Sequence, residues 1–492
     1  MREPASPMTA VQAALLALLL TLLAPVAAAR TLGTIHFSRC EIAVSSASRY
    51  DAECARFSVP ENPAEPQGRR IQLRLALIPA RSPQPKPEPV VFLAGGPGQS
   101  AIDAYPAVAA TLGPLARDRN VLLIDQRGTG GSNPLECALP DVFDEAAESA
   151  ANARIQAFEC LRGLLERADP AFYTTLDFLR DLEAIRAALG GPQFDLVAGS
   201  YGTRVALEYL RRHPDAVRSA VLDSVVPPEL ALMQDHPRNL DEALDQMFAQ
   251  CRASAACSER FGDPAKTLSG LRAKLRTSQP LVSFRDPDSN QLRQARFSGG
   301  LLAGVVRLFS YAPEAASLLP LLLDEAAHGR PEVLMAQASR FADFARGIAH
   351  GQELSVICNE DADYAHADPS DEGRLLGNDM VHLIQAQCEV WPRSAPSPAL
   401  KQPVSSDKPV LVLSGSLDPV TPPRYGAQVL KTLGKARQLI ALGQGHIVMN
   451  RGCMPRLIRR FIERPEPAQL DASCLDALGY TPAFVSFQGP PP

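Results

Sequence analysis

A serine set between small residues is the strongest chemical signal in this sequence. Ser200 lies in the run VAGSYGT, residues 197–203, which follows an apolar segment and precedes a helical pattern. In a strand-to-helix turn of this kind, a strained backbone lifts the serine hydroxyl above the sheet, where it acts as a nucleophile. The small residues Ala198 and Gly202 let neighbouring backbone pass close to the turn. We therefore predict a nucleophilic Ser200 rather than a serine in an ordinary tight turn.

A nucleophilic serine needs a histidine base and an acid that orients the histidine. Asp418 follows the apolar run 410–413, and His446 follows the apolar run 438–442. The order serine, acid, histidine along the chain is typical of a triad carried at the carboxyl ends of parallel strands. We predict His446 as the base and Asp418 as the acid that orients it. Asp223, which also follows an apolar run, is the alternative acid.

Acyl transfer also needs backbone N–H donors for the oxyanion that forms on the substrate. One donor is expected at Tyr201, directly after the nucleophile. The second is expected in the run AGGPGQS, residues 94–100, where Gly96 is favoured and Gly95 is the alternative. This run lacks the GK[ST] of a phosphate-binding loop and the spacing of a dinucleotide-binding fingerprint. The sequence therefore calls for no cofactor.

An acidic stretch, residues 360–368, is the remaining candidate for chemistry. It could be imagined as a metal site, but a solvated loop is the favoured interpretation, and no metal is predicted. Glu360 or Asp361, held beside Cys358, could instead face the active site and bind the ammonium group of a substrate.

The elements that would position these residues form an α/β pattern. Continuous apolar runs are typical of strands buried on both faces of a parallel sheet, and helical patterns such as 178–189 and 203–212 lie between them. The predicted strands are 71–78, 90–94, 121–124, 194–198, 220–222, 410–413 and 438–442.

The strand pattern stops after residue 226 and resumes near residue 409, and the sequence between shows mostly helical patterns. We predict a core formed by residues 30–226 and 401–492. A helical insertion at 227–400 would cover the carboxyl ends of the strands as a cap.

The N-terminus and the cysteines both indicate export. Residues 13–24 are almost unbroken alanine and leucine, and an A-x-A pattern follows, which predicts a signal peptide over residues 1–29. An uncleaved anchor is the alternative. All ten cysteines lie beyond the expected cut, as is usual for disulfides in an oxidising compartment. They fall into neighbouring couples, so sequential pairing is the simplest expectation: Cys40/Cys54, Cys137/Cys160, Cys251/Cys257, Cys358/Cys388 and Cys453/Cys474.

Composition excludes some partners of the 492-residue chain. Its net charge of −5 offers no electrostatic reason to bind nucleic acid or an anionic membrane, and no stable membrane association is predicted. The expected location is the periplasm or the extracellular medium.

With these residues assembled, the chain resembles the proline iminopeptidase and tripeptidyl aminopeptidase branch of the α/β-hydrolases. The segments that carry the resemblance are AGGPGQS (94–100), DQRGTGGS (125–132), AGSYGT (198–203), SGSLDPVTPP (414–423) and GQGHIVMNRGC (443–453). Two positions depart from the usual family pattern, since Ala94 stands where a histidine is common and Ala198 replaces the first elbow glycine.

The resemblance implies an α/β-hydrolase fold with a mostly parallel sheet and an inserted helical cap. It also implies a triad of Ser200, Asp418 and His446, and the removal of one residue or a tripeptide from peptides with a free N-terminus. A carboxylesterase or lipase that uses the same triad is the alternative function. A non-catalytic binding protein with this fold is disfavoured, because all three triad residues are present.

Overall fold

A computed structural model describes residues 30–45, 48–144, 149–394 and 397–490 of the chain. The predicted signal peptide, residues 1–29, lies outside the described residues. The strands are β1 (Arg30–Leu32), β2 (Ile35–Ser45), β3 (Ser48–Pro60), β4 (Arg70–Ile78), β5 (Val90–Leu93), β6 (Val121–Ile124), β7 (Phe194–Gly199), β8 (Val217–Asp223), β9 (Leu281–Arg285), β10 (Leu292–Arg296), β11 (Ser406–Gly415) and β12 (Leu433–Ala441).

The α-helices alternate with the core strands and fill the predicted insertion. They are α1 (Ala101–Leu115), α2 (Ala150–Leu164), α3 (Thr175–Ala188), α4 (Tyr201–Arg212), α5 (His236–Ala253), α6 (Ala255–Phe261), α7 (Pro264–Leu275), α8 (Gly299–Phe309), α9 (Pro313–Ala316), α10 (Leu319–Ala327), α11 (Glu332–Arg346), α12 (His350–Glu360), α13 (Asp379–Cys388), α14 (Pro423–Val429) and α15 (Met454–Glu463).

The central sheet has ten strands in the order β1-β2-β3-β4-β6-β5-β7-β8-β11-β12. Strands β6, β5, β7, β8, β11 and β12 pair in parallel, and β1 to β4 add an antiparallel portion at one end. The predicted α/β fold class is confirmed. Each predicted strand has its counterpart among β4 to β8, β11 and β12.

Burial explains which strands the sequence reveals. Every residue of β5, β6 and β7 is buried, which produces the continuous apolar runs. The antiparallel strands carry polar side chains between apolar ones, as the first half of β4 shows with alternate exposed and buried residues. Strands β1 to β3 therefore escaped prediction.

Helices cover both faces of the sheet. On one face, Leu182 of α3 and Leu207 of α4 belong to the same buried cluster as Leu196 of β7. On the other face, Phe461 of α15 shares a cluster with Val197, the next residue of β7. Neighbouring residues of one strand thus contribute to two separate cores, as the alternation of side chains in a strand requires.

The segment between β8 and β11 has a core of its own. Leu302, Val306 and Phe309 of α8 pack with Leu244 of α5 and Met335 of α11 in a separate buried cluster. The hairpin of β9 and β10 is the one feature of the described segment that the helical prediction missed, because exposed polar residues alternate along it. We propose that this segment is the cap, with the predicted bounds 227–400.

Disulfides connect consecutive cysteines throughout the described residues, so the predicted sequential pairing is confirmed. The bridges are Cys40–Cys54, Cys137–Cys160, Cys251–Cys257, Cys358–Cys388 and Cys453–Cys474. Among the helices in the described ranges, none has both the length and the apolar character needed to cross a bilayer.

Candidate active site

Ser200 occupies a sharp turn between a strand and a helix. Strand β7 ends at Gly199, α4 begins at Tyr201, and Ser200 between them has φ 52° and ψ −125°. A positive φ is unfavourable for a residue with a side chain and persists only where the surroundings impose it. One constraint is Gly202, where a Cβ atom would lie 2.3 Å from the carbonyl oxygen of Leu93. The predicted elbow geometry is therefore present at Ser200.

His446 and Asp418 are in direct contact. The Nδ1 atom of His446 lies 2.9 Å and 3.0 Å from the two carboxylate oxygens of Asp418. The carboxylate also accepts hydrogen bonds from the hydroxyl of Thr421 and from the backbone N–H groups of Val420 and Thr421, each at 2.8 Å. Burial opposes ionisation, but His446 and these donors outweigh it and lower the pKa of Asp418 to about 2. Asp418 is therefore a charged acceptor that orients His446, whose side chain lines the same cavity as Ser200.

Asp223, the alternative acid, has a different contact. Its carboxylate accepts the backbone N–H groups of Val448 and Met449, at 2.9 Å and 2.7 Å for the nearer oxygen. Burial raises the pKa of this carboxyl to about 7. Asp223 therefore braces the loop that follows His446, and the geometry favours Asp418 as the orienting acid.

The glycine loop after β5 reaches the nucleophile. A Cβ atom on Gly95 would lie 3.1 Å from Cβ of Ser200. The N–H of Gly95 donates to the side-chain oxygen of Gln99 at 3.2 Å, which leaves Gly96 as the candidate oxyanion donor of the pair. Tyr201 is the first residue of α4, where a backbone N–H has no acceptor within the helix. Gly96 and Tyr201 both line the cavity that contains Ser200.

The two predicted amine-binding carboxylates lie away from this cavity. Glu360 accepts the backbone N–H of Thr175 at 2.7 Å and its hydroxyl at 2.8 Å. Asp361 forms ion pairs with Arg204 and Lys401. Both carboxylates are buried and compensated by other groups, and neither lines the cavity. These contacts therefore give no support to the assignment of Glu360 and Asp361 to the substrate amine.

A different carboxylate of the same helix does line the cavity. Glu353, in the first turn of α12, lies seven positions, or about two helical turns, before Glu360. Its carboxylate lies 2.7 Å from Nδ1 of His350. The sequence offered no signal for Glu353, because the placement of α12 over the sheet depends on packing between distant segments.

The cavity has a volume of about 630 Å³, and the cap contributes ionisable side chains to its lining. Arg307 of α8 and His236 of α5 line it together with Glu353. Burial, together with the charge of Arg307, holds the pKa of His236 well below its usual value. His236 is therefore neutral near pH 7, and the charges contributed by these three residues are one cation and one anion.

The cap also touches the loop that carries the histidine. The backbone N–H of His446 donates to the carbonyl oxygen of Tyr311 at 2.8 Å. The rings of Tyr311 and His446 meet edge to face, with centroids 5.3 Å apart. The inserted segment therefore takes part in positioning the imidazole.

The sheet order, the elbow serine and the adjoining acid–histidine pair define a hydrolase of the α/β-hydrolase fold. A family model described as alpha/beta hydrolase fold matches residues 88–297, and one described as TAP-like protein matches residues 374–474. The chain has the α/β-hydrolase fold, and its family matches and relatives make it a serine peptidase similar to proline iminopeptidase and tripeptidyl aminopeptidase.

Three relatives illustrate this placement. Serine protease Hip1 of Mycobacterium tuberculosis is 26% identical over 459 residues, which cover 84% of this chain and 85% of the relative. Tripeptidyl aminopeptidase of Streptomyces lividans is 33% identical over 192 residues, 36% of each chain. Proline iminopeptidase of Neisseria gonorrhoeae is 28% identical over 157 residues, 31% of this chain and 39% of the relative.

Proposed function

We propose that this chain is an exported serine aminopeptidase that releases one residue or a tripeptide from peptides with a free N-terminus. The observation that carries the proposal is the contact of His446 with Asp418 beside a cavity that Ser200 also lines. The names of the relatives support a peptidase rather than an esterase. The five disulfides support an oxidising location outside the cytoplasm.

The proposed reaction is a two-step acyl transfer. His446 removes the proton of Ser200 as the hydroxyl attacks the substrate carbonyl, and Asp418 stabilises the imidazolium that forms. The backbone N–H groups of Gly96 and Tyr201 bind the oxyanion of the tetrahedral intermediate. His446 then protonates the leaving amine, and water hydrolyses the acyl-enzyme in the reverse sense.

Glu353 is the group that binds the free amine in this proposal. Its helix, α12, follows a segment that rests on the glycine loop, since the N–H of Ala349 donates to the carbonyl of Gly98 at 2.9 Å. The carboxylate is therefore held on the side of Ser200 where the acyl portion of the substrate binds. A carboxylate and an ammonium group form a charge-assisted hydrogen bond, which an acetylated amine does not form.

The test is hydrolysis of a panel of p-nitroanilides by the purified protein. Pro-, Ala- and Ala-Ala-Pro-anilides are compared with their N-acetylated forms, and p-nitrophenyl butyrate is the ester control. We expect at least one free anilide to be hydrolysed, with a loss of about tenfold or more in kcat/KM on acetylation. Which anilide is preferred decides between release of a single residue and of a tripeptide.

Two results would contradict the proposal. Rapid hydrolysis of the butyrate ester with no hydrolysis of any anilide would indicate a carboxylesterase or lipase. Equal rates on free and acetylated anilides would indicate a peptidase that does not bind the amine.

A further inference from the structure

Arg307 is a cavity residue to which the acyl-transfer steps assign no part. It lies on α8 of the cap, on the side opposite the buried residues Leu302, Val306 and Phe309. Its guanidinium lines the cavity that also contains Ser200. A cation that faces a substrate cavity needs a negative partner, because charge is costly to hold away from bulk water without one.

No carboxylate forms an ion pair with Arg307 within the parts of the chain that the structure describes. Other arginines of the cap do have carboxylate partners, such as Arg252 with Asp263 and Arg260 with Asp324. The hydrogen bonds of Arg307 use one nitrogen, Nη2, which lies 3.2 Å from Nδ1 of His236 and 3.2 Å from the hydroxyl of Tyr311. The Nη1 and Nε donors remain for a ligand.

His236 and Tyr311 hold the guanidinium in place. Because His236 is neutral and Nδ1 accepts from Arg307, its ring proton lies on Nε2. The ring of Tyr311 lies beside the guanidinium, with the Cζ atom of Arg307 5.9 Å from the ring centroid. A fixed guanidinium with free donors matches the two oxygens of a carboxylate.

The position of Arg307 relates it to the leaving group. Tyr311 contacts both Arg307, through its hydroxyl, and His446, through its backbone carbonyl. His446 donates the proton to the leaving amine, so the leaving portion of the substrate binds next to His446. The segment before Glu353 contacts the glycine loop, which follows β5, whereas His446 follows β12. Strand β7, which leads to Ser200, lies between β5 and β12 in the sheet.

We propose that Arg307 binds a carboxylate of the leaving group, so that the enzyme prefers short peptides whose leaving portion carries a free carboxylate. This inference rests on the proposed aminopeptidase function and adds the second end of the substrate to it. The carboxylate belongs either to the C-terminus of the peptide or to an acidic side chain of the first leaving residue. A cavity of about 630 Å³ suits a short peptide bound at both ends.

The test compares peptides that differ only in the leaving group. The acyl portion is the one that is fastest in the anilide panel, and the leaving group is alanine, alaninamide or glutamyl amide. In the wild-type enzyme we expect kcat/KM to be about 10- to 100-fold higher for alanine than for alaninamide, as for a charge-assisted hydrogen bond. A comparable gain for the glutamyl amide would identify an acidic side chain as an equivalent source of the carboxylate.

Arg307→Gln should reduce the alanine-to-alaninamide ratio to within about twofold of one, and Arg307→Lys should give an intermediate ratio. The ratio is insensitive to a loss of folded enzyme, because both substrates are measured on the same preparation. Arg252→Gln is the matched control, since Arg252 pairs with Asp263 on the cap surface and does not line the cavity. We expect it to keep the wild-type ratio.

The inference is overturned if the wild-type enzyme hydrolyses anilides but treats all three leaving groups alike, or if Arg307→Gln keeps the wild-type ratio. Failure to hydrolyse any anilide would instead refute the proposed aminopeptidase function, and the role of Arg307 with it.

Discussion

Ser200 combines backbone strain with a hydroxyl that caps no N–H group of the helix it precedes. Its φ of 52° lies in the region that favours glycine, and its side chain makes no capping hydrogen bond to α4. Strain of this kind costs about 1–3 kcal/mol and is characteristic of functional sites. The conformation of Ser200 therefore lowers the stability of the fold, and it suits the hydroxyl to attack on a carbonyl.

Substitutions at Ser200 should separate these two properties. Ser200→Ala and Ser200→Gly should both abolish hydrolysis, because each removes the nucleophile. Ser200→Gly should in addition stabilise the protein by about 1 kcal/mol relative to Ser200→Ala, because glycine adopts this φ without strain. Thermal unfolding followed by circular dichroism measures the difference. Residual turnover in either purified variant would contradict the assignment of Ser200.

In the proposed function, Glu353 is the residue that binds the free amine of the substrate. Glu353→Gln should lower kcat/KM on the preferred free anilide by about 10- to 100-fold and leave the acetylated anilide almost unaffected. Discrimination between the two forms should therefore largely disappear. Glu389→Gln, on the surface beside Arg154, is the control and should discriminate as the wild type does. Unchanged discrimination in Glu353→Gln would place the amine elsewhere.

The predictability of site residues follows from where each one lies. Ser200 and Asp418 follow strands whose last residues are buried, and His446 follows the partly exposed edge strand β12. Each of the three strands has an apolar run that is visible in the sequence, and the strands are parallel, so these residues meet at one edge of the sheet. Glu353 and Arg307 lie on cap helices. The direction in which a cap helix presents a polar residue depends on packing with distant segments, which periodicity alone does not reveal.

At the scale of elements, the cap is in contact with the loops that carry the chemistry. Its chain passes so close to the histidine loop that a Cβ atom on Gly445 would lie 2.3 Å from the carbonyl oxygen of Tyr311. A second approach joins Gly98 of the glycine loop to Ala349. The loops on both sides of Ser200 therefore depend on the inserted segment for their positions.

Gly445→Ala should reveal this dependence. The added methyl group must push Tyr311 or His446 aside, and a displacement of about 1 Å at a catalytic group costs on the order of 100-fold in rate. We expect kcat to fall by about that factor. Gly270→Ala is the control, because a Cβ atom at Gly270 of α7 meets no atom within 4 Å. Equal activities of the two variants would show that the contact with Tyr311 does not position His446.

At the scale of the whole molecule, buried charges connect the cap to the core. Arg204 of α4 pairs with Asp361 at the end of α12 at 2.8 Å, and Lys401 pairs with the same carboxylate. Glu360 binds Thr175 at the start of α3. The acidic stretch that the sequence left open as a candidate for chemistry thus joins the two parts of the fold.

This junction should make stability depend on pH. Burial and the charge of Asp361 raise the pKa of Glu360 from 4.5 to about 7. The folded protein therefore binds more protons than the unfolded chain between these values, so the contribution of Glu360 is complete below pH 4.5 and is lost as the pH rises through 7. Between these pH values, Glu360 should make the free energy of unfolding fall by up to about 1.4 kcal/mol per pH unit. Glu360→Gln should remove this dependence on pH. Urea unfolding from pH 4.5 to 7.5 measures it, and parallel slopes for the two proteins would refute the assignment.

The fold as a whole was more predictable than its edges. Strands β5, β6 and β7 are buried on both faces and left continuous apolar runs, so their positions along the chain and the α/β fold class could be inferred. The antiparallel strands β1 to β3 and the hairpin of β9 and β10 have exposed faces and polar residues between apolar ones. Their pairing depends on partners that periodicity does not identify.

The connectivity of the bridges has a consequence for biogenesis. Ten cysteines can be paired in about 945 ways, yet here each cysteine joins its nearest neighbour along the chain, with separations between 6 and 30 residues. In the proposed export of the chain, every second thiol that emerges finds one unoxidised thiol upstream, and that thiol is its native partner. First-come oxidation therefore produces the correct set, and maturation needs an oxidant but no isomerase to reshuffle mispaired intermediates.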